Sequence, residues 1–121
     1  MGRMQRNKGQ RGEREVAEIL SRALGIDISR KLGAARDGGH DLEAGGFAVE
    51  CKRAERPSLG SWWTQASENA TKAGLHPMVT WRPNRGEWLA VVPLEILAEL
   101  LNDSLRWNFN QTRPQGGGKD S

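Results

Sequence analysis

The chain has 121 residues, is 36% hydrophobic and carries 18 Lys and Arg against 15 Asp and Glu, for a formal net charge of +3. That length suits one domain with a modest core rather than two. One cysteine and two separated histidines, His40 and His76, exclude a disulfide framework and the standard structural zinc sets, and they fit a reducing, cytoplasmic setting. No apolar run approaches the roughly 18 residues of a membrane span, and no signal-peptide core follows Met1, so neither insertion nor secretion is expected. Nine of the 18 cations fall in the first 36 residues beside four acids. A concentration of that kind suits a polyanion, nucleic acid above all, with a basic surface kept for solubility as the plain alternative.

In chain order, MGRMQRNKGQRG is polar, basic and broken by glycines, and it reads as a flexible arm over about residues 1–10. Val16, Ala17, Leu20, Ala23 and Leu24 then recur at helical spacing from Glu13, and Gly25 stands where that helix stops. IDISRKL, residues 26–32, alternates weakly and reads as a first strand before the loop GAARDGGH. DLEA and FAVECKR are period-two segments joined by Gly45-Gly46, the signal of a tight hairpin. After Pro57 and Ser58, the stripe Leu59, Trp62, Trp63, Ala66, Ala70, Ala73 predicts a helix ending at Gly74. Residues 77–82 and 87–92 read as two strands around a PNRG turn, and an amphipathic helix follows over 94–103. Residues 1–107 thus read as a single domain and 108–121 as a disordered tail.

Alternation across the second hairpin strand puts Phe47, Val49 and Cys51 on one face and Ala48, Glu50 and Lys52 on the other. A two-residue Gly-Gly turn would pair Leu42 with Val49 and bring Asp41 opposite Glu50, with Cβ atoms roughly 4.5–5.5 Å apart. Two carboxylates that close repel unless a cation or proton is shared, and a hard divalent ion with oxygen ligands, Mg²⁺ by type, resolves the conflict. Lys52 would then hold a nucleophilic water or stabilise charge developing on a phosphate. Of the acids on the first helix, Glu13 projects with Ala17, Leu20 and Leu24 towards the sheet, whereas Glu15 and Glu18 project to solvent. A carboxylate on that stripe needs a partner, although Glu13 is equally read as a charge favourable near a helix N-terminus.

In their order, these residues resemble the PD-(D/E)XK nuclease superfamily, and within it the archaeal-type Holliday junction resolvases and their phage-borne relatives. The matching pieces are KGQRGEREVAEIL at 8–20, RDGGHDL at 36–42 and VECKR at 49–53. The resemblance carries the family's catalytic set onto Glu13, Asp41, Glu50 and Lys52, with Gln65 in WWTQA matching its accessory glutamine. It implies an α/β fold, a restriction-endonuclease-like core with a central mixed sheet flanked by helices in αβββαββα order. It also implies Mg²⁺-dependent cleavage of four-way DNA junctions by a symmetric homodimer, with Mn²⁺ able to substitute, in the cytoplasm of a bacterium or phage-infected host. Asp41 and Glu50 would ligate the metal, and Glu13 would bind it directly or through water. This sequence departs from the family where His40 replaces the proline before the strand acid, and in the short spacing from Asp41 to Glu50.

Around such a site Arg11, Arg14, Arg30, Lys31, Arg36 and Arg53 are candidate phosphate contacts, with Arg14 favoured by its place beside Glu13. Trp62 and Trp63 cannot both face the sheet from one helix; one reads as core and the other as a dimer contact or base-stacking platform. Trp81 and Trp88 read as structural and Cys51 as a small core residue; His40 could hydrogen-bond or touch the metal shell, but a lone loop histidine is more often neither. Two rival functions stay open: a nuclease acting on flaps, ends or linear duplex, and a non-catalytic DNA-binding protein whose acids pair with arginines.

Overall fold

A computed structural model describes residues 2–28 and 39–112. The chain forms two compact units, Met1–Val91 and Val92–Ser121. The first contains α1 (Gly2–Leu24), β1 (Leu42–Ala44), β2 (Phe47–Arg53), α2 (Leu59–Ala73), β3 (His76–Arg82) and β4 (Leu89–Val91). The second contains α3 (Leu94–Thr112). Among the described residues no helix is long and apolar enough to cross a membrane.

The four strands make one mixed sheet in the order β1-β2-β3-β4. The β1–β2 hairpin has the expected register, Leu42 with Val49, Glu43 with Ala48 and Ala44 with Phe47. Gly45 and Gly46 both have positive φ, 56° and 85°, the conformation a two-residue turn of this hand requires. β2 and β3 run parallel, with Glu50 beside Val79 and Lys52 beside Trp81, and α2 supplies the crossover that parallel pairing demands. β3 and β4 are antiparallel. β2 is buried at Phe47, Ala48, Val49 and Glu50 in succession, as befits an inner strand covered on both faces.

Two helices provide that cover. Gly12 of α1 approaches β2 so closely that a Cβ there would stand 3.0 Å from Arg53 Cγ and 3.3 Å from the Trp88 ring. Gln65 and Asn69 of α2 reach Lys52 and Glu50. Alternation along β2 therefore puts α1 on the Cys51–Arg53 face and α2 on the Glu50–Lys52 face. The core between them is Val16, Ala17, Leu42, Phe47, Val49, Ala66, Ala70 and Val79.

The chain departs from expectation in four places. α1 starts at Gly2, so the arm is helical rather than flexible; Gly12, which reads as a helix breaker, is a point of close packing. The expected strand over 26–32 falls largely on residues outside the described ones. Its described part is irregular, with the Ile28 amide donating to Ser21 Oγ at 2.9 Å, and the described order is αββαββα. α3 continues to Thr112, well past the expected 103, because no Gly or Pro intervenes to stop it. Glu15 does not face solvent: its Oε1 accepts from Arg82 Nη1 at 2.7 Å and Trp88 Nε1 at 2.9 Å. Glu18 does, in an exposed pair with Arg22 at 3.5 Å.

The Glu15 contact ties α1 to the β3–β4 end of the sheet. Partial burial raises its pKa, but the hydrogen bonds from Trp88 and Arg82 and the charges of Arg82 and Arg53 outweigh this and hold it below 4.5. A carboxylate with a depressed folded pKa contributes stability above its unfolded pKa and loses it as pH falls through the folded one. Glu15→Gln should therefore cost about 1–2 kcal/mol at pH 7. In paired thermal melts the gap to the parent should close once both proteins are well below pH 4.5.

Candidate active site

Three acids are buried although the chain is polar: Glu13 at 4%, Asp41 at 8% and Glu50 at 3% exposure. Each comes from a different element or its edge. Glu13 sits on the inward stripe of α1 with Gly12, Val16 and Ala17. Asp41 precedes β1, and Glu50 is central in β2.

Asp41 does not pair squarely with Glu50. The ladder ends at Leu42 and Val49, and the Asp41 amide also turns onto the Val49 carbonyl at 3.0 Å, a slip of one residue. Its Oδ2 accepts from the Cys51 amide at 2.9 Å. The physical reason is that two opposed carboxylates repel, and the slip gives one of them a backbone donor on the neighbouring strand. Asp41 is thereby fixed against the same stretch of β2 that carries Glu50 and Lys52.

Those two residues are held from α2. Asn69 Nδ2 donates to Glu50 Oε2 at 2.9 Å, and Lys52 Nζ donates to Gln65 Oε1 at 3.2 Å. Gln65 and Asn69 are four apart, one turn on one helix face, just as Glu50 and Lys52 are two apart on one strand face. Thr80 closes the other side, its hydroxyl donating to the Glu50 carbonyl at 2.9 Å. Gln65 was legible from the sequence; Asn69 was not, although its i+4 spacing from Gln65 is the signal that finds it.

Because α1 lies on the opposite face of β2, Glu13 reaches this region from the Cys51 side. The thiol senses all of it. Burial raises the Cys51 pKa, a hydrogen bond with Thr80 works against that, and the charges of Asp41, Glu13 and Glu50 raise it further. Cys51 is therefore a neutral thiol at physiological pH and no nucleophile.

Among the described residues no three or more His, Cys, Asp and Glu side chains are drawn together tightly enough to enclose a metal ion. Asp41 and Glu50 instead offer hard oxygen donors at one end of a strand pair. Oxygen donors of this kind are the type that hard divalent cations take, with water filling the remaining positions. His40 is 4% exposed, and its Nε2 lies 3.6 Å from Glu43 Oε1 with no hydrogen-bond partner among the described residues.

Of the candidate phosphate contacts, Arg11 and Arg14 are exposed on α1. Arg53 is half-buried, donating to the Arg82 carbonyl at 3.2 Å and to Asn84 Oδ1 at 3.4 Å, so it braces the β3–β4 turn. Arg30, Lys31 and Arg36 lie outside the described residues. Trp62 packs against Trp81 with ring centroids 6.4 Å apart, while the Trp81 indole donates to the Ala54 carbonyl at 2.7 Å. Both rings are thus structural, and Trp63 is half-buried beside them in sequence.

Neither the curated proteins nor the solved structures compared with the chain contain a match. A family model described as "Phage putative PDDEXK endonuclease" matches residues 4–115, nearly the whole chain and every residue of the site. The mixed sheet, the acid at the hairpin edge and the Glu50-x-Lys52 strand agree with that match, and the chain belongs to this phage family of PD-(D/E)XK nucleases.

Proposed function

We propose that the protein is a divalent-metal-dependent, structure-selective DNA endonuclease that resolves four-way junctions by paired nicks. The observation that carries the catalytic part is the joint placement of Glu50 and Lys52 on one strand face, each gripped by an α2 side chain, with Asp41 locked beside them. A strand pair built only for stability gains little from burying such acids near one another. The junction part rests on the resemblance of roughly residues 8–93 to resolvases.

In this reading Asp41 and Glu50 hold Mg²⁺, for which Mn²⁺ substitutes, and Glu13 adds its charge from α1, directly or through water. The bound ion would neutralise phosphate charge and lower the pKa of water. Asn69 fixes Glu50 through Oε2, while Gln65 fixes the reach of Lys52. Lys52 orients the attacking water and offsets the negative charge that builds on the phosphate. Water adds to phosphorus, the bond to the 3′ oxygen breaks, and the products are a 5′-phosphate and a 3′-hydroxyl. Exposed Arg11 and Arg14, with Arg30, Lys31 and Arg36, contact phosphates without reading sequence, whereas Arg53 is committed to the β3–β4 turn. Two such sites in a symmetric homodimer nick two strands.

Cleavage of four-way, three-way, flap and linear duplex DNA at equal concentration tests the substrate. Symmetric nicks confined to the four-way junction are expected. Comparable cutting of linear duplex would overturn the junction assignment while leaving the nuclease in place.

A further inference from the structure

We infer that α3 is a self-association surface, pairing antiparallel with α3 of a second copy about Leu101. This deepens the paired-nick reading, which needs two copies, by naming the surface that joins them.

α3 exposes more apolar side chain than its own sequence would tolerate in water. Leu94, Leu97, Leu100, Leu101, Leu105 and Trp107 are 38–76% exposed. Scattered apolar residues on a surface need no explanation, but a continuous helical stripe of them does. At about 100° per residue, Leu94, Ala98, Leu101 and Leu105 fall within about 40° of one line along the helix, with Leu97 at its margin. The run extends over three turns, the form of a helix–helix seam.

The charges choose the occupant and its direction. Glu95, Glu99 and Arg106 all project from one flank of that stripe, the opposite flank carries Leu100 and Trp107 with no charge, and Ile96 and Asp103 lie on the back of the helix. In a parallel pair the charged flank would meet the partner's apolar flank, burying acids against leucines with no cation in reach. A two-fold axis across the seam instead brings like flank to like flank. With Leu101 meeting its own copy, Leu97 meets the partner's Leu105, and the partner's Arg106 falls between Glu95 and Glu99. The acids in the first half of α3 and the arginine in its second half are therefore self-complementary only in the antiparallel sense. A second copy of this chain satisfies both the apolar stripe and the charged flank, and the symmetry is that of the commonest protein dimers.

The test uses the full chain. Sedimentation equilibrium should give about twice the 13.4 kDa chain mass, and Leu101→Glu, which places like charges on the two-fold axis, should weaken association by about 100-fold or more. Under mild oxidation Leu101→Cys should cross-link to its own copy, whereas Leu94→Cys should not, because an antiparallel pair carries those ends far apart. Because both sites are exposed, circular dichroism should show a parent-like fold for each variant. A chain that stays monomeric at every concentration would overturn the inference, as would Leu94→Cys cross-linking as readily as Leu101→Cys. A dimer that passes these tests yet makes no paired nicks would leave this surface standing and remove the junction reading.

Discussion

Glu50→Gln is expected to reduce DNA cleavage by about a thousand-fold or more, while the protein folds normally and still binds DNA. The substitution keeps the size of the side chain and an oxygen that can accept from Asn69, whose bond to Glu50 Oε2 is 2.9 Å. What it removes is one of two charged donors proposed for the metal. Loss of repulsion from the neighbouring buried acids favours the variant, and the weaker hydrogen bond from Asn69 disfavours it. These opposed effects are each of order 1 kcal/mol, so the melting temperature should hardly move. DNA affinity without metal should stay level or rise, since a negative charge near the phosphates has gone. An activity assay, a thermal melt and a binding titration on one preparation measure all three. A purely structural role for Glu50 predicts the reverse pattern, with stability falling and any cleavage surviving in the folded fraction.

Leu42→Ala should be the most damaging of the simple core truncations. Leu42 is fully buried, paired with Val49 in a strand that packs against α1, and with Val49 and Val79 it is among the largest side chains that have no exposed surface. Removing its branched end leaves a cavity that close packing fills only in part, at a cost of about 3–5 kcal/mol. Native domains have only about 5–15 kcal/mol in all, so the urea midpoint should drop by about a fifth or more with an unchanged slope. Leu42 also follows Asp41 directly. Slack at Leu42 should loosen the bond from the Cys51 amide to the Asp41 carboxylate, and activity at permissive temperature should fall by more than the unfolded fraction explains.

The hairpin was the most legible part of the chain. Gly45-Gly46 between two alternating segments determined the β1–β2 register to the residue, and that register put Glu50 and Lys52 on a common face. Helix stops at Gly25 and Gly74 were equally plain, since both adopt positive φ. What the sequence did not disclose were contacts made across elements far apart in the chain. Glu15 looked solvent-facing by helical angle alone because Arg82 and Trp88, which capture it, come from the other end of the sheet. Gly12 looked like a break because local rules cannot see Arg53 and Trp88 pressing on the helix. The one-residue slip at Asp41 escaped for a related reason. Periodicity assumes that the ladder continues, and electrostatic repulsion between two carboxylates ends it.

With those acids, Lys52 completes the proposed metal-dependent phosphodiesterase site of Asp41, Glu50 and Lys52. The most direct measurement is cleavage of branched and plasmid DNA by the purified protein in Mg²⁺, in Mn²⁺ and in EDTA, with Lys52→Met run alongside. The expected result is nicks that carry 5′-phosphates, that vanish in EDTA and that are lost in Lys52→Met while the variant still binds DNA. Binding without nicks in either metal on every substrate, or nicking that survives both EDTA and Lys52→Met, would contradict it.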